Sequence, residues 1–175
     1  IGGATNQTYS ATAAGDYTVV TTSGGCPSLP STATTVTINP TPATPTIGAG
    51  GPITFCSGGS VTLTSSSATG NQWSLNGTPI GGAINQTYSA TASGDYTVIV
   101  TASGCPSTAS AATTVTVNPA PATPTIGAGG PTAFCSGGSV TLTSSSATDN
   151  QWSLNGTPIG GATNQTYSAT AAGDY

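Results

Sequence analysis

Hydrophobic and polar residues alternate along this chain in short runs. In "SVTLTSS" Val61 and Leu63 fall on one side and Thr62 and Thr64 on the other, and in "NQWSLNG" Trp73 and Leu75 share a face. "QTYSAT" offers Tyr88 and Ala90, "DYTVIVT" offers Tyr96, Val98 and Val100, and "TTVTVNP" offers Val115 and Val117. A period of two is the spacing of a strand with one buried face, and nothing at helical spacing competes with it. Asn76-Gly77 is the favoured pair for a tight hairpin turn. Short strands interrupted by Gly, Ser and Pro predict an all-β fold, an antiparallel sandwich. Its expected core is Val61, Leu63, Trp73, Leu75, Tyr96, Val98, Val115 and Val117.

The pattern recurs. Ile1, Ile80 and Ile159 each open "IGGA", Trp73 matches Trp152, Cys26 matches Cys105 and Cys56 matches Cys135, always at a spacing of 79 residues. Fixed-period identity is the mark of a duplicated unit. "NPTPATPTIGAGGP" at 39–52 and its near-copy at 118–131 read as connectors, because their prolines favour extended backbone and their glycines permit a bend. One complete repeat is therefore expected at 41–119, with the C-terminal part of a preceding repeat at 1–40 and the N-terminal part of the next at 120–175. On this reading the chain is a window in a longer polymer, and each partial repeat is completed by sequence beyond the cut.

Composition narrows the chemistry. The 175 residues include no Lys, Arg, His or Met, and the only acids are Asp16, Asp95, Asp149 and Asp174. An apolar content of 35%, taken with 25 glycines, approaches the globular average of roughly 45–50% that counts Gly. The chain can fold, but its surface must be Thr, Ser, Asn, Gln and Gly. No apolar run approaches the roughly 20 residues of a membrane span, and no basic patch is present to meet phosphates. Neither membrane insertion nor nucleic-acid binding is expected. Acid–base catalysis needs titratable groups placed together, and isolated aspartates do not supply them, so the chain is read as non-enzymatic. Asp16, Asp95 and Asp174 each precede a tyrosine in "GDY" and read as turn residues, while Asp149 has Gly70 as its counterpart. Calcium takes about six to eight oxygen ligands with several carboxylates; no such cluster is visible, and no metal or cofactor is expected. "NQT" at Asn6, Asn85 and Asn164 and "NGT" at Asn76 and Asn155 match the glycosylation acceptor pattern and are read as turns.

"FCSGGSVTLT", then Trp73, then "TYSATASGDYTVIVTASGC", then "TTVTVNP" resembles the bacterial immunoglobulin-like repeats of giant secreted surface proteins and gliding adhesins of Bacteroidetes type. The resemblance covers the whole chain. It implies tandem immunoglobulin-like antiparallel β-sandwiches in a head-to-tail array, with Trp73 as the core tryptophan of strand C and Tyr96 as the tyrosine corner of strand F. It departs at the core disulfide, because Leu63 or Ser65 and Val98 stand where the cysteines of strands B and F would sit. The implied function is a structural repeat of an extracellular filament or adhesin stalk at the cell surface, exported by the type IX pathway, with copies of itself or neighbouring repeats as partners. The alternative is an array of carbohydrate-binding modules in which Trp73, Trp152 and the tyrosines stack on surface glycans. Strand alternation predicts a buried Trp73 and argues against it.

Cys26, Cys56, Cys105 and Cys135 are the disulfide candidates, two per repeat, and in an oxidising exterior they should pair. The resemblance would pair Cys56 with Cys105. The strand map opposes this, because Cys56 precedes strand B at one end of the sandwich and Cys105 lies in the F–G turn at the other. Six strand residues separate those ends by about 20 Å, whereas a disulfide holds its Cα atoms about 4.4–6.8 Å apart. Cys56 is therefore expected to bond the F–G cysteine of the following repeat, and Cys105 a cysteine upstream of Ile1.

Overall fold

The computed structural model describes residues 2–175, and the regular structure among them is entirely β. It divides into two units, the first reaching Pro119 and the second running from Ala120 to Tyr175. The first unit opens with β1 (Gly15–Tyr17), β2 (Thr22–Ser23), β3 (Cys26–Pro27) and β4 (Thr34–Val36). β1 pairs with β4, and β2 with β3 in a tight hairpin.

The remainder of this unit holds β5 (Ile47–Ala49), β6 (Thr54–Cys56), β7 (Val61–Ser65), β8 (Asn71–Leu75), β9 (Thr78–Pro79), β10 (Thr87–Ala90), β11 (Gly94–Ala102), β12 (Cys105–Pro106) and β13 (Thr113–Asn118). One sheet runs β10-β7-β5 and the other β6-β13-β11-β8-β9, with β12 folded back on β11. Two such sheets with this crossing order, E-B-A against G-F-C in strand letters, define an immunoglobulin-like sandwich. Here β6 adds a parallel strand beside β13, at Thr54↔Thr116 through Cys56↔Asn118.

Inward positions follow the alternation. Val61 and Leu63 of β7, Trp73 of β8, Tyr96 and Val98 of β11 and Val115 of β13 are buried in one cluster. Leu75 and Val117, expected in the core, are only half-buried and pack against its margin. Both lie at a strand end. Leu75 adjoins the Asn76-Gly77 turn, and Val117 lies beyond the last β11–β13 pair, Gly94↔Val115. At that turn Asn76 and Gly77 take φ of 50° and 78°, the doubly left-handed form whose twist matches the flanking strands.

Two expectations are corrected. The connector expected at 39–52 contains β5, because Ile47 packs against the core and pairs opposite Ser65. From there the chain crosses at Gly50–Pro52 to the other sheet and forms β6, a three-residue strand too short to show a period. Asp95 is not a turn residue: it lies within β11, and Thr114 Oγ1 donates to its Oδ1 across the strands at 2.6 Å. Asp16 accepts from Thr35 in the same way.

The second unit contains β14 (Ile126–Ala128), β15 (Val140–Ser144), β16 (Ser153–Leu154), β17 (Thr157–Pro158) and β18 (Thr166–Ala169). β14-β15-β18 repeats the β5-β7-β10 sheet in register: Ile126 faces Ser144 as Ile47 faces Ser65, and Leu142 faces Tyr167 as Leu63 faces Tyr88. Val140, Leu142, Trp152 and Ala169 form its small core. The other sheet is depleted. β16 has two residues where β8 has five, and Ala133–Cys135, the counterpart of β6, form no strand. β8 depends on β11 along its length and β6 on β13. Where those partners have no counterpart in the unit, the dependent strands shorten or vanish.

Candidate functional site

Among the described residues, no group of three or more His, Cys, Asp or Glu lies close enough to hold a metal ion. The carboxylates of Asp16 and Asp95 accept from threonine hydroxyls across paired strands. Asp95 and Asp174 offer their amides to the side chains of Asn76 and Asn155, and Asp149 accepts from Thr148. Among the described residues the carboxylates are not brought together in one cluster.

The tryptophan is built into the core. Trp73 is 0% exposed, its indole N–H donates to the Asn85 carbonyl at 2.9 Å, and Tyr88 lies against it with ring centroids 6.0 Å apart. A ring in this position cannot stack on a sugar. Trp152 makes the same bond to Asn164. Tyr96 continues the aromatic row, 5.7 Å from Tyr88, and its hydroxyl donates to the Ala92 carbonyl at 3.0 Å. Tyr17 and Tyr175 make the corresponding bonds to Ala13 and Ala171. This upstream bond is the tyrosine corner.

Burial raises the Tyr96 phenol above its ordinary value of 10.0. The unfolded chain then loses this proton first as pH rises, so from about pH 10 upward the unfolded state binds fewer protons and stability falls. Urea unfolding of the first unit is expected to weaken through that window, and Tyr96→Phe to remove the Tyr96 share of the slope. A slope unchanged by Tyr96→Phe would place the ionisation elsewhere.

The cysteines of the repeat lie at the sandwich ends. At one end, Asn118 at the close of β13 faces Cys56, and its carbonyl accepts from Ser57 N at 2.8 Å. At the other, β11 and β12 turn through Ser103 and Gly104, with Cys105 opposite Ala102. β11 spans nine residues, about 30 Å, and Cys56 and Cys105 lie beyond its two ends. They do not meet. All four cysteines, Cys26, Cys56, Cys105 and Cys135, carry free thiols.

A second contact at the F–G end is absent from the alternation pattern. The Asn39 side chain donates to the Ser103 carbonyl at 3.0 Å, the Cys105 thiol lies 3.7 Å from the Asn39 carbonyl, and Thr44 bonds Thr108. Asn39 and Asn118 are the same repeat position, 79 residues apart. The asparagine that closes one G strand therefore touches the F–G cysteine of the sandwich that follows it, while its counterpart faces Cys56 of its own sandwich. Only the "NP" that opens both connectors hinted at this.

No protein-family model matches the chain, and no curated protein matches it. Among solved structures, the human OSCAR ligand-binding domain is similar at 16% identity, over 76% of this chain and 86% of that one, with a TM-score of 0.34.

Proposed function

We propose that the chain is a structural stretch of an extracellular filament or adhesin stalk, built from immunoglobulin-like sandwiches joined head to tail, and that it is non-catalytic. One observation carries the reading: the same asparagine position stands at both ends of the central sandwich, Asn39 docking on its F–G turn and Asn118 facing Cys56 at its far end. Successive repeats then share a defined junction instead of hanging on a free linker. A surface without Lys or Arg and with four acids in 175 residues favours close packing of neighbours with little charge repulsion. The buried tryptophan argues against glycan stacking.

The junction also supports covalent ties. Asn39 lies at the Cys105 thiol, and a preceding repeat built like the central one would set its Cys56-type cysteine beside that same asparagine, as Cys56 stands beside Asn118. Two thiols would yield two protons and two electrons to molecular oxygen or a disulfide donor. Peptic mapping of unreduced fibres is expected to join a Cys56-type peptide to a Cys105-type peptide of the next repeat. A bond between Cys56 and Cys105 of one repeat would contradict the strand map.

Gold-labelled antibodies to the 175-residue protein test the function on material sheared from producing cells. Labels spaced along thin fibres are expected. Label retained inside the cells would overturn the reading.

A further inference from the structure

The hydrogen bonds of β7 fix which backbone groups of β10 are already used. The Thr62 carbonyl accepts from Gly50 on the β5 side at 2.8 Å, and the Ser65 amide donates to the Gln86 carbonyl on the β10 side at 2.8 Å. Residues of an antiparallel pair alternate between bonded and non-bonded positions. Leu63 and Val61 therefore bond Tyr88 and Ala90, which lie opposite them, and the N–H and C=O groups of Thr87 and Ser89 point away from β7. β10 is the last strand of its sheet, and both residues are exposed. β18 repeats the arrangement. The Ser144 amide donates to the Gln165 carbonyl at 2.9 Å, β18 ends the β14-β15-β18 sheet, and Thr166 and Ser168 are exposed.

The other edges of the central sandwich are blunted by short strands and prolines, the usual protection of a sheet edge. β5 has three residues between Pro45 and Pro52, β6 has three just after Pro52, and β9 has two, one of them Pro79. β10 has four, with no proline, glycine or charged residue among them. The nearest charge along the chain is Asp95, and Thr114 holds it in the other sheet. Such an edge sets no like charges against a copy of itself, and an antiparallel pair of identical strands is self-complementary about a two-fold axis.

We infer that β10 pairs edge to edge with the same strand of a second copy, antiparallel, with Thr87 opposite Ser89 of the second copy and Tyr88 opposite Tyr88. In this register Thr87 and Ser89 satisfy all their outward amides and carbonyls. Their hydroxyls meet on the solvent face, and the two tyrosines form a close non-hydrogen-bonded pair, both favourable cross-strand contacts. A slip of one residue would set each outward group against one already bonded to β7. "QTYSAT" recurs at 165–170, so β18 offers the same edge and association continues past a dimer. As a lateral contact between filaments the pairing rests on the filament reading; the open edge itself follows from the β7 ladder.

Amide exchange of the full 175-residue chain under reducing conditions, read residue by residue by NMR from low to high protein concentration, tests the pairing. The amides of Thr87 and Ser89 are expected to exchange as open groups when dilute and to slow by about tenfold or more when concentrated. Association through any other surface would leave both fast. Ser89→Pro with Ser168→Pro should keep the far-ultraviolet circular dichroism of the dilute chain, since proline is tolerated where an edge amide faces solvent. It should return Thr87 to fast exchange at every concentration. Ser89→Ala with Ser168→Ala keeps the amides and should keep the protection. Exchange at Thr87 and Ser89 independent of concentration, protection of Thr87 that survives the proline changes, or protection lost in the alanine variant would overturn the inference. Should the proline variant unfold, the parent and alanine chains still decide it. None of these results touches the filament reading, which is tested on fibres from cells.

Discussion

Trp73→Ala is expected to destabilise the central sandwich by about 3–5 kcal/mol, the range for removing a large buried aromatic side chain. The indole fills the space between the two sheets, contacts Tyr88, and holds the Asn85 carbonyl through its N–H. Alanine would leave a cavity and an unpaired carbonyl. Hydrogen exchange across β7, β8 and β11 of the full chain would read the loss locally. Trp152→Ala, the same change at the repeat-equivalent site, is expected to act in the same direction, because Trp152 is buried and makes the matching bond to Asn164. A cost below about 1 kcal/mol at Trp73 would mean an exposed ring and would favour the glycan-binding alternative.

Gly70→Val is expected to cost about 2–4 kcal/mol, combining a left-handed backbone with a clash that side-chain motion cannot relieve. Gly70 has φ +72°, and the atom that a Cβ would meet, the Thr101 carbonyl oxygen at 2.3 Å, belongs to the backbone of β11. The Thr101 amide donates to the Gly70 carbonyl at 2.8 Å, so the loop cannot retreat without losing that bond. Asp149 adopts the same left-handed conformation, φ 59°, in the second unit, where no strand stands opposite it. Urea unfolding of Gly70→Val and Gly70→Asp variants would separate the two contributions. Equal stability of either variant and the parent would show that β11 does not pass this close to the loop.

The strands with strict alternation are legible in the amino-acid pattern. Val61 and Leu63, Trp73, and Tyr96 and Val98 fall inward because a period of two leaves them no other common face. The hairpin at Asn76-Gly77 is equally readable, since few other pairs tolerate two consecutive positive φ values. β5 and β6 are hidden. Each has three residues, too few for a period, and they lie among the Pro and Gly that mark a connector. Their strand character comes from partners distant in sequence, Ser65 and Thr116 among others, which no local pattern encodes. The half-burial of Leu75 and Val117 has the same origin, because strand ends are set by register. The Asn39 contact with Cys105 joins residues 66 apart and is equally invisible, although the 79-residue spacing of Asn39 and Asn118 stands in the sequence. The place of Asp95 within a strand shows how a "GDY" signal can be overridden when β11 extends through it.

Fibre diffraction from aligned, immunopurified filaments tests the central claim, a head-to-tail array of closed sandwiches, most directly. A nine-residue β11 and the seven residues between β13 and β14 would set an axial repeat of about 50 Å, from about 3.3 Å per strand residue and about 3.1 Å per connector residue. The account predicts a meridional series at that spacing, with the strands lying mainly along the fibre axis. A meridional reflection at about 4.7–4.8 Å with an equatorial one near 10 Å, and no longer repeat, would place the strands across the axis and contradict it.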